Sequence, residues 1–209
     1  MSGPNDPRWS DAVRQAVTAA GLVAEPDDGV PASSPEYRFD VEHTVGLLAT
    51  ALASLHTLSV PQSAEPLDPD ELVELAREAL ATGRLHPEAL SAAYRHVETA
   101  RLIEILAEGR STSLSRAAEP PVPTHGRPSL DALRCQDGAA LGFAGWERAA
   151  VADRYRDLAV AASSVATDLG PMLVPTFFER YAAAVHDDRY DHPDPLRLDW
   201  YALAAELTP

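Results

Sequence analysis

With 209 residues, 45% of them apolar, the chain has enough material for one well-buried core. A formal charge of -15 repels a phosphate backbone and argues against nucleic acid as a partner; it weakly favours cationic small molecules or basic protein surfaces, or simply solubility. The single cysteine, Cys135, excludes an internal disulfide and a cysteine-cluster zinc site, and suits a reducing, cytoplasmic compartment.

Residue types that are missing narrow the chemistry further. All 17 basic residues are Arg, and Asn5 is the only Asn. Without Lys there is no Schiff base and no Walker-type or kinase-type Lys to grip a nucleotide. Biased codon usage removes Lys equally well, so its absence limits mechanism and assigns no role. The first residues, MSGPNDPRWS, lack the basic region and apolar core of a secretory signal. The stretch from Val45 to Leu55 is far short of the ~20 apolar residues of a membrane span, so no membrane role is expected.

In chain order, residues 1–40 are rich in Pro, Asp, Ser and Gly and read as an arm with one short helix, Ser10 to about Ala20, stopped by Gly21. From Asp40, Val41, Val45, Leu48, Leu52 and Leu55 recur three and four apart, which predicts a core helix before Pro61. Asp68-Pro69-Asp70-Glu71 has the residues of a helix cap, and Gly83 closes that second helix. A third is predicted from Pro87 to Gly109, with Ala93, Val97, Ala100, Ile103 and Leu106 on one side. Arg110 to Pro123, with its serines and prolines, reads as a connector that cannot continue a helix. Two short apolar runs, Ala132 to Cys135 and Ala139 to Ala144, flank Gln136-Asp137-Gly138 and predict a small β-hairpin. Helices are then expected over roughly Glu147 to Asp168, Val174 to Val185 and Pro195 to Leu207.

This order, with Leu55-His56 ending the first core helix, Thr124-His125-Gly126 after the Pro-rich connector, Gly142-Phe143, Arg148, the run Val151-Ala152-Asp153-Arg154-Tyr155-Arg156-Asp157-Leu158-Ala159, and Trp200-Tyr201, resembles the C-terminal lobe of aminoglycoside phosphotransferases. The likeness spans about Leu47 to Leu207 and implies a mainly α chain: the helical C-terminal lobe of a protein-kinase-like fold over residues 41–209, with one small hairpin. Residues 1–40 are too few for the nucleotide-binding lobe, which is expected to be absent.

The same resemblance implies that the family's catalytic Asp, metal-binding Asn and second metal-binding Asp fall on Arg127, Ala132 and Gly145. All three chemical groups are lost. A guanidinium ~4 Å from a divalent ion faces a gross repulsion of several kcal/mol even at an effective dielectric near 20, and Arg does not deprotonate to relieve it. His125 and Asp157 are implied to brace the loop. Arg127, Asp131, Trp146 and Glu147 are the candidates for a repurposed cleft: Trp146 as its filling, Asp131 or Glu147 as the ion-pair partner of Arg127 or as a rebuilt metal site, Arg127 as a fork for a carboxylate or phosphate. Where relatives that bind aminoglycosides carry several acids, this chain reads Arg84-Leu85-His86-Pro87-Glu88-Ala89-Leu90.

Outside that loop, His186-Asp187-Asp188 with Asp191-His192 has ligand residue types for a transition metal but reads as a polar connection. Ser129, Ser163, Ser164 and Cys135 lie in no nucleophile motif, and Cys135 reads as a small buried apolar residue. The expectation is a noncatalytic, pseudokinase-like binding, scaffold or regulatory protein without a cofactor or metal. Its partner is expected to be a protein or a second copy over the surface left by the missing lobe, or a small molecule. Two alternatives are a phosphotransferase with an atypical or partner-supplied nucleotide site, and an acidic lobe that sequesters a cation.

Overall fold

Asp40 starts the first core helix by accepting the His43 amide on its carboxylate, and α2 runs Val41–His56 with Val45, Leu48, Leu52 and Leu55 fully buried. The computed structural model describes residues 11–60, 64–114 and 119–209. In it α2 packs along α6 (Val174–Val185). Beside that pair, α5 (Tyr155–Asp168) and α4 (Thr99–Ser113) both pack on α7 (Pro195–Leu207), while α3 (Pro69–Ala81) lies against α4. The cap predicted for α3 forms as a reciprocal box: Asp68 accepts from the Asp70 amide and Glu71 from the Asp68 amide. Arg197 on α7 bridges Asp153 and Glu119 at 2.6 and 3.1 Å and ties α7 to the start of α5. Among the described residues no helix is long and apolar enough to cross a membrane.

Residues 11–40 form more than one helix. After α1 (Asp11–Ala19), β1 (Val30–Pro31) pairs antiparallel with β3 (Leu133–Gln136), and a short 3₁₀ turn covers Pro35–Arg38. Val13, Val17, Leu22 and Tyr37 belong to the same core cluster as α2. The part of the predicted first helix before Asp11 lies outside the described residues.

The hairpin forms between β3 and β4 (Ala139–Phe143). Its Asp137 and Gly138 both take positive φ, 51° and 78°, as a two-residue turn matched to strand twist requires. The sheet order is β1-β3-β4.

Three sequence expectations are corrected. Pro87 opens only a 3₁₀ turn, Pro87–Ala89, and the third helix starts at Thr99. Leu90 is extended there and the Ser91 amide donates to Glu206 Oε2 at 3.0 Å, so the chain is held on α7 instead of winding onward. Gly109 does not stop α4, which continues through Ser113 into the predicted connector. A Cβ at Gly109 would meet Trp200 Cδ1 at an ordinary contact distance of 3.6 Å, and Trp200 Nε1 donates to the Leu106 carbonyl at 2.8 Å, so α7 packs on α4 here and supports the helix through the glycine. Finally, the helix expected from Glu147 begins at Tyr155. Before it come a 3₁₀ turn, Trp146–Arg148, and β5 (Ala150–Ala152), which pairs antiparallel with β2 (Val122–Thr124). Asp153 then accepts the Tyr155 amide at 3.0 Å and starts the helix.

Candidate active site on the His125 loop

The β2–β5 pair delivers two segments to one place. Strand β2 ends at Thr124, so His125-Gly126-Arg127 emerges next to the chain that leaves β5 for α5. Asp157, in the first turn of α5 and fully buried, accepts the His125 and Gly126 amides, one on each carboxylate oxygen, both at 2.7 Å. Charge-assisted bonds of this length are among the strongest a buried backbone can make. Gly126 is required here: its φ is +86°, and a Cβ would stand 2.5 Å from the Arg148 carbonyl oxygen and 2.7 Å from Arg156 Nη2.

Behind Asp157 lies a second layer. His56, the last residue of α2, has its Nε2 3.3 Å from Asp157 Oδ2 and its Nδ1 2.7 Å from the Tyr181 hydroxyl. Arg154 Nη1 donates to that same hydroxyl at 3.3 Å. A neutral His56 satisfies all of this, with Nε2–H donating to the carboxylate and Nδ1 accepting from Tyr181. Burial pushes the His56 pKa down and so favours that form. Burial alone would raise the Asp157 pKa, but the hydrogen bond from His56 and the nearby charge of Arg156 hold it below the usual carboxylate value. His125 is likewise held neutral by burial. Its Nε2 reaches the Ala144 carbonyl at 3.0 Å, and its Nδ1 accepts the Arg127 amide at 3.2 Å.

The other side of the loop has a different character. Ala132 and Gly145 come close together across the hairpin, where the Ala144 amide donates to the Ala132 carbonyl at 2.9 Å. Neither carries a side chain able to bind a cation, and Gly145 takes φ 81°. Trp146 packs edge-to-face on His125 at 4.7 Å between ring centres and donates its indole N–H to the Phe143 carbonyl. Asp131 turns away and accepts the Ser33 hydroxyl. Glu147 is exposed, near enough to Arg148 and His125 to act on their titration. The ion pair expected between Arg127 and Asp131 or Glu147 is not formed among the described residues, and Arg127 is exposed.

Positive charge accumulates instead. Burial first, then the charges of Arg127 and Arg156, push the Arg148 guanidinium down to about 10. Arg156 is fixed by Nη1 on Thr124 Oγ1 at 3.0 Å and Nη2 on the Arg148 carbonyl at 2.9 Å. Magnesium and calcium take oxygen ligands, carboxylates above all, so this donor set does not fit either. No group of three or more His, Cys, Asp or Glu able to hold a metal occurs among the described residues. The Arg148 and Arg156 cluster was not legible in the sequence as a site, because only the β2–β5 pairing brings these residues to the loop. His56 was visible as a polar residue closing an apolar helix face, which is the signal that could have flagged it.

Other candidates fall elsewhere. His186 ends α6 in a left-handed turn, and Asp187 takes up the Arg189 guanidinium at 2.6 Å. Ser164 donates to Asp168 at 2.9 Å. Cys135 is buried in β3, and burial raises its thiol to about 11, far from a reactive thiolate.

Comparison with known proteins places this arrangement. The model of the phosphotransferase enzyme family matches residues 8–201, well upstream of the Leu47 at which the resemblance was expected to begin. Streptomycin 3''-kinase of Streptomyces griseus is 30% identical over 192 residues, covering 90% of this chain and 69% of that protein. The aminoglycoside phosphotransferase APH(3'')-Id from Streptomyces rimosus, solved with ADP and streptomycin, superposes with a TM-score of 0.72 at 24% identity, over 87% of this chain and 68% of that one. An aminoglycoside-3'-phosphotransferase of type VIII gives a TM-score of 0.68 at 26% identity, over 86% of this chain and 65% of that one. The chain thus spans about two thirds of the length of these relatives. A match over nearly its whole length means that the chain belongs to the phosphotransferase enzyme family, among relatives that are aminoglycoside phosphotransferases with a kinase-like fold.

Proposed function

We propose that this chain is a noncatalytic, pseudokinase-like member of the family that works as a binding or regulatory module. The observation that carries the reading is the chemistry at the loop tip. The positions at which the family resemblance implies a base and two metal ligands hold Arg127, Ala132 and Gly145, and two more guanidinium groups, Arg148 and Arg156, stand behind them. Phosphoryl transfer in this fold depends on placing a nucleotide and neutralising its charge with metal. A cationic tip without metal ligands supports the opposite use of the loop. A protein partner or a second copy of the chain belongs to this proposal too.

Calorimetric titration of the full chain with ATP, with and without magnesium, alongside a measurement of ADP formation, tests the reading. The expected result is no magnesium-dependent binding and no turnover. Magnesium-dependent ATP binding would overturn it in favour of the second reading, a phosphotransferase acting on a small hydroxylated substrate with an atypical or partner-supplied nucleotide site. That alternative is favoured by the names of the relatives and by the undamaged frame around Asp157.

A further inference from the structure

Beside the loop lies a cleft of about 250 Å³ whose walls come from four separate parts of the chain. Arg127 stands at one side; Arg84 and His86, from the turn after α3, stand at another. Val160 and Ser163 of α5 and the small residues Ala202 and Ala205 of α7 complete it. Two guanidinium groups and an imidazole line it together with Glu206, which is engaged by the Ser91 amide at 3.0 Å, and Pro209; His86 Nδ1 lies 3.7 Å from Glu88 Oε1. Arg84 is held at the rim by Glu78 at 2.9 Å and by the Thr82 hydroxyl at 3.0 Å, whereas Arg127 makes no ion pair among the described residues. A guanidinium presents a planar fork of N–H donors suited to two oxygens of one anion. Leu90, Val160 and the two alanines add apolar contact to the lining.

We infer that this cleft binds a small organic oxyanion, with a carboxylate or phosphate group on Arg127 and a compact apolar body against Val160, Ala202 and Ala205. The volume is below the ~300–1,000 Å³ of drug-sized sites, which limits the ligand to a compact metabolite. The inference deepens the noncatalytic reading and rests on it in one respect, that the anion is held and not phosphorylated. It also assigns this cleft a ligand of opposite charge to the cations that the overall composition favours.

The test uses the full chain without metal and two probes, phenyl phosphate and benzoate, followed by calorimetry and by chemical-shift changes of the backbone amides. Saturable binding of either probe, with shifts at Arg127 and α7, supports the site, and the tighter of the two identifies its oxyanion. Arg127→Ala is expected to weaken that binding about tenfold or more, in line with the loss of one charge-assisted contact. Arg127→Lys is expected to retain part of it, and Arg180→Ala, a surface change elsewhere, is expected to leave it unaltered. Failure of both probes to saturate, or equal binding by wild type and Arg127→Ala, overturns the site. The two proposals fail separately: loss of probe binding without magnesium-dependent ATP binding removes the site alone, and magnesium-dependent ATP binding with probe binding intact removes the noncatalytic reading alone.

Discussion

The underside of the His125–Arg127 loop and its tip are separated by one or two residues, yet they follow different rules. Beneath the loop, Arg154, Tyr181, His56 and Asp157 form a chain of hydrogen bonds that ends on the His125 and Gly126 amides. Asp157 and His56 are shut off from water, so each donor and acceptor there must find a partner inside the protein. At the tip, Arg127 is exposed, Ala132 and Gly145 offer no ligand, and solvent satisfies whatever the protein does not. A buried network resists change because one lost partner strands the rest. An exposed tip tolerates almost any side chain, so its chemistry can change while the frame stays.

The largest expected effect comes from breaking the underside. Asp157→Ala leaves two buried N–H groups without an acceptor and should cost about 3–5 kcal/mol in urea unfolding. Asp157→Asn, which keeps one acceptor oxygen and turns an NH₂ toward the other amide, should cost about 2 kcal/mol. If both variants unfold at the wild-type urea midpoint, the contrast between underside and tip is wrong.

Acid should reveal the same region less severely. Burial lowers the folded pKa of His56 and of His125, so the unfolded chain takes up protons first. Stability from these residues is complete above an unfolded value of ~6.5 and is lost as pH falls from there toward the folded values. Protonation of His125 would set a proton on Nδ1 against the Arg127 amide, which is the local reason for the loss. The lowered pKa of Asp157 adds a second decline, starting below ~3.9 and running as pH falls through its folded value. Melting temperatures should therefore drop between about pH 7.5 and pH 5, and a flat profile there would mean that the two imidazoles are not held neutral. The smallest effect is expected at the tip: Arg127→Ala should leave the urea midpoint unchanged while altering oxyanion binding. A marked destabilisation would show that Arg127 belongs to the frame.

Much of the fold was legible locally. The spacing of Val45, Leu48, Leu52 and Leu55 gave α2, Asp68 to Glu71 gave the cap of α3, and Asp137-Gly138 gave the turn of the hairpin, because each depends on residues within a few positions of one another. The β2–β5 pair was not legible. Ala150-Val151-Ala152 suits a helix as well as a strand, and its partner is the distant Val122-Pro123-Thr124, with Val151 set opposite Pro123. Gly109 misled for a related reason: a helix breaker by propensity, it sits inside α4, where Trp200 of α7 packs beside it and hydrogen-bonds the Leu106 carbonyl.

The site divides in the same way. The order of residues alone determined that Arg127, Ala132 and Gly145 stand where the family resemblance implies a base and two metal ligands, since that rests on side-chain identity at fixed spacing. Only the tertiary structure decided where charge gathers. It carried Asp131 off to Ser33, set Arg148 and Arg156 behind the loop, and placed Arg84, His86 and Arg127 around one cleft of an otherwise acidic chain. Electrostatic interaction falls with distance through space, and separation along the chain does not measure that distance.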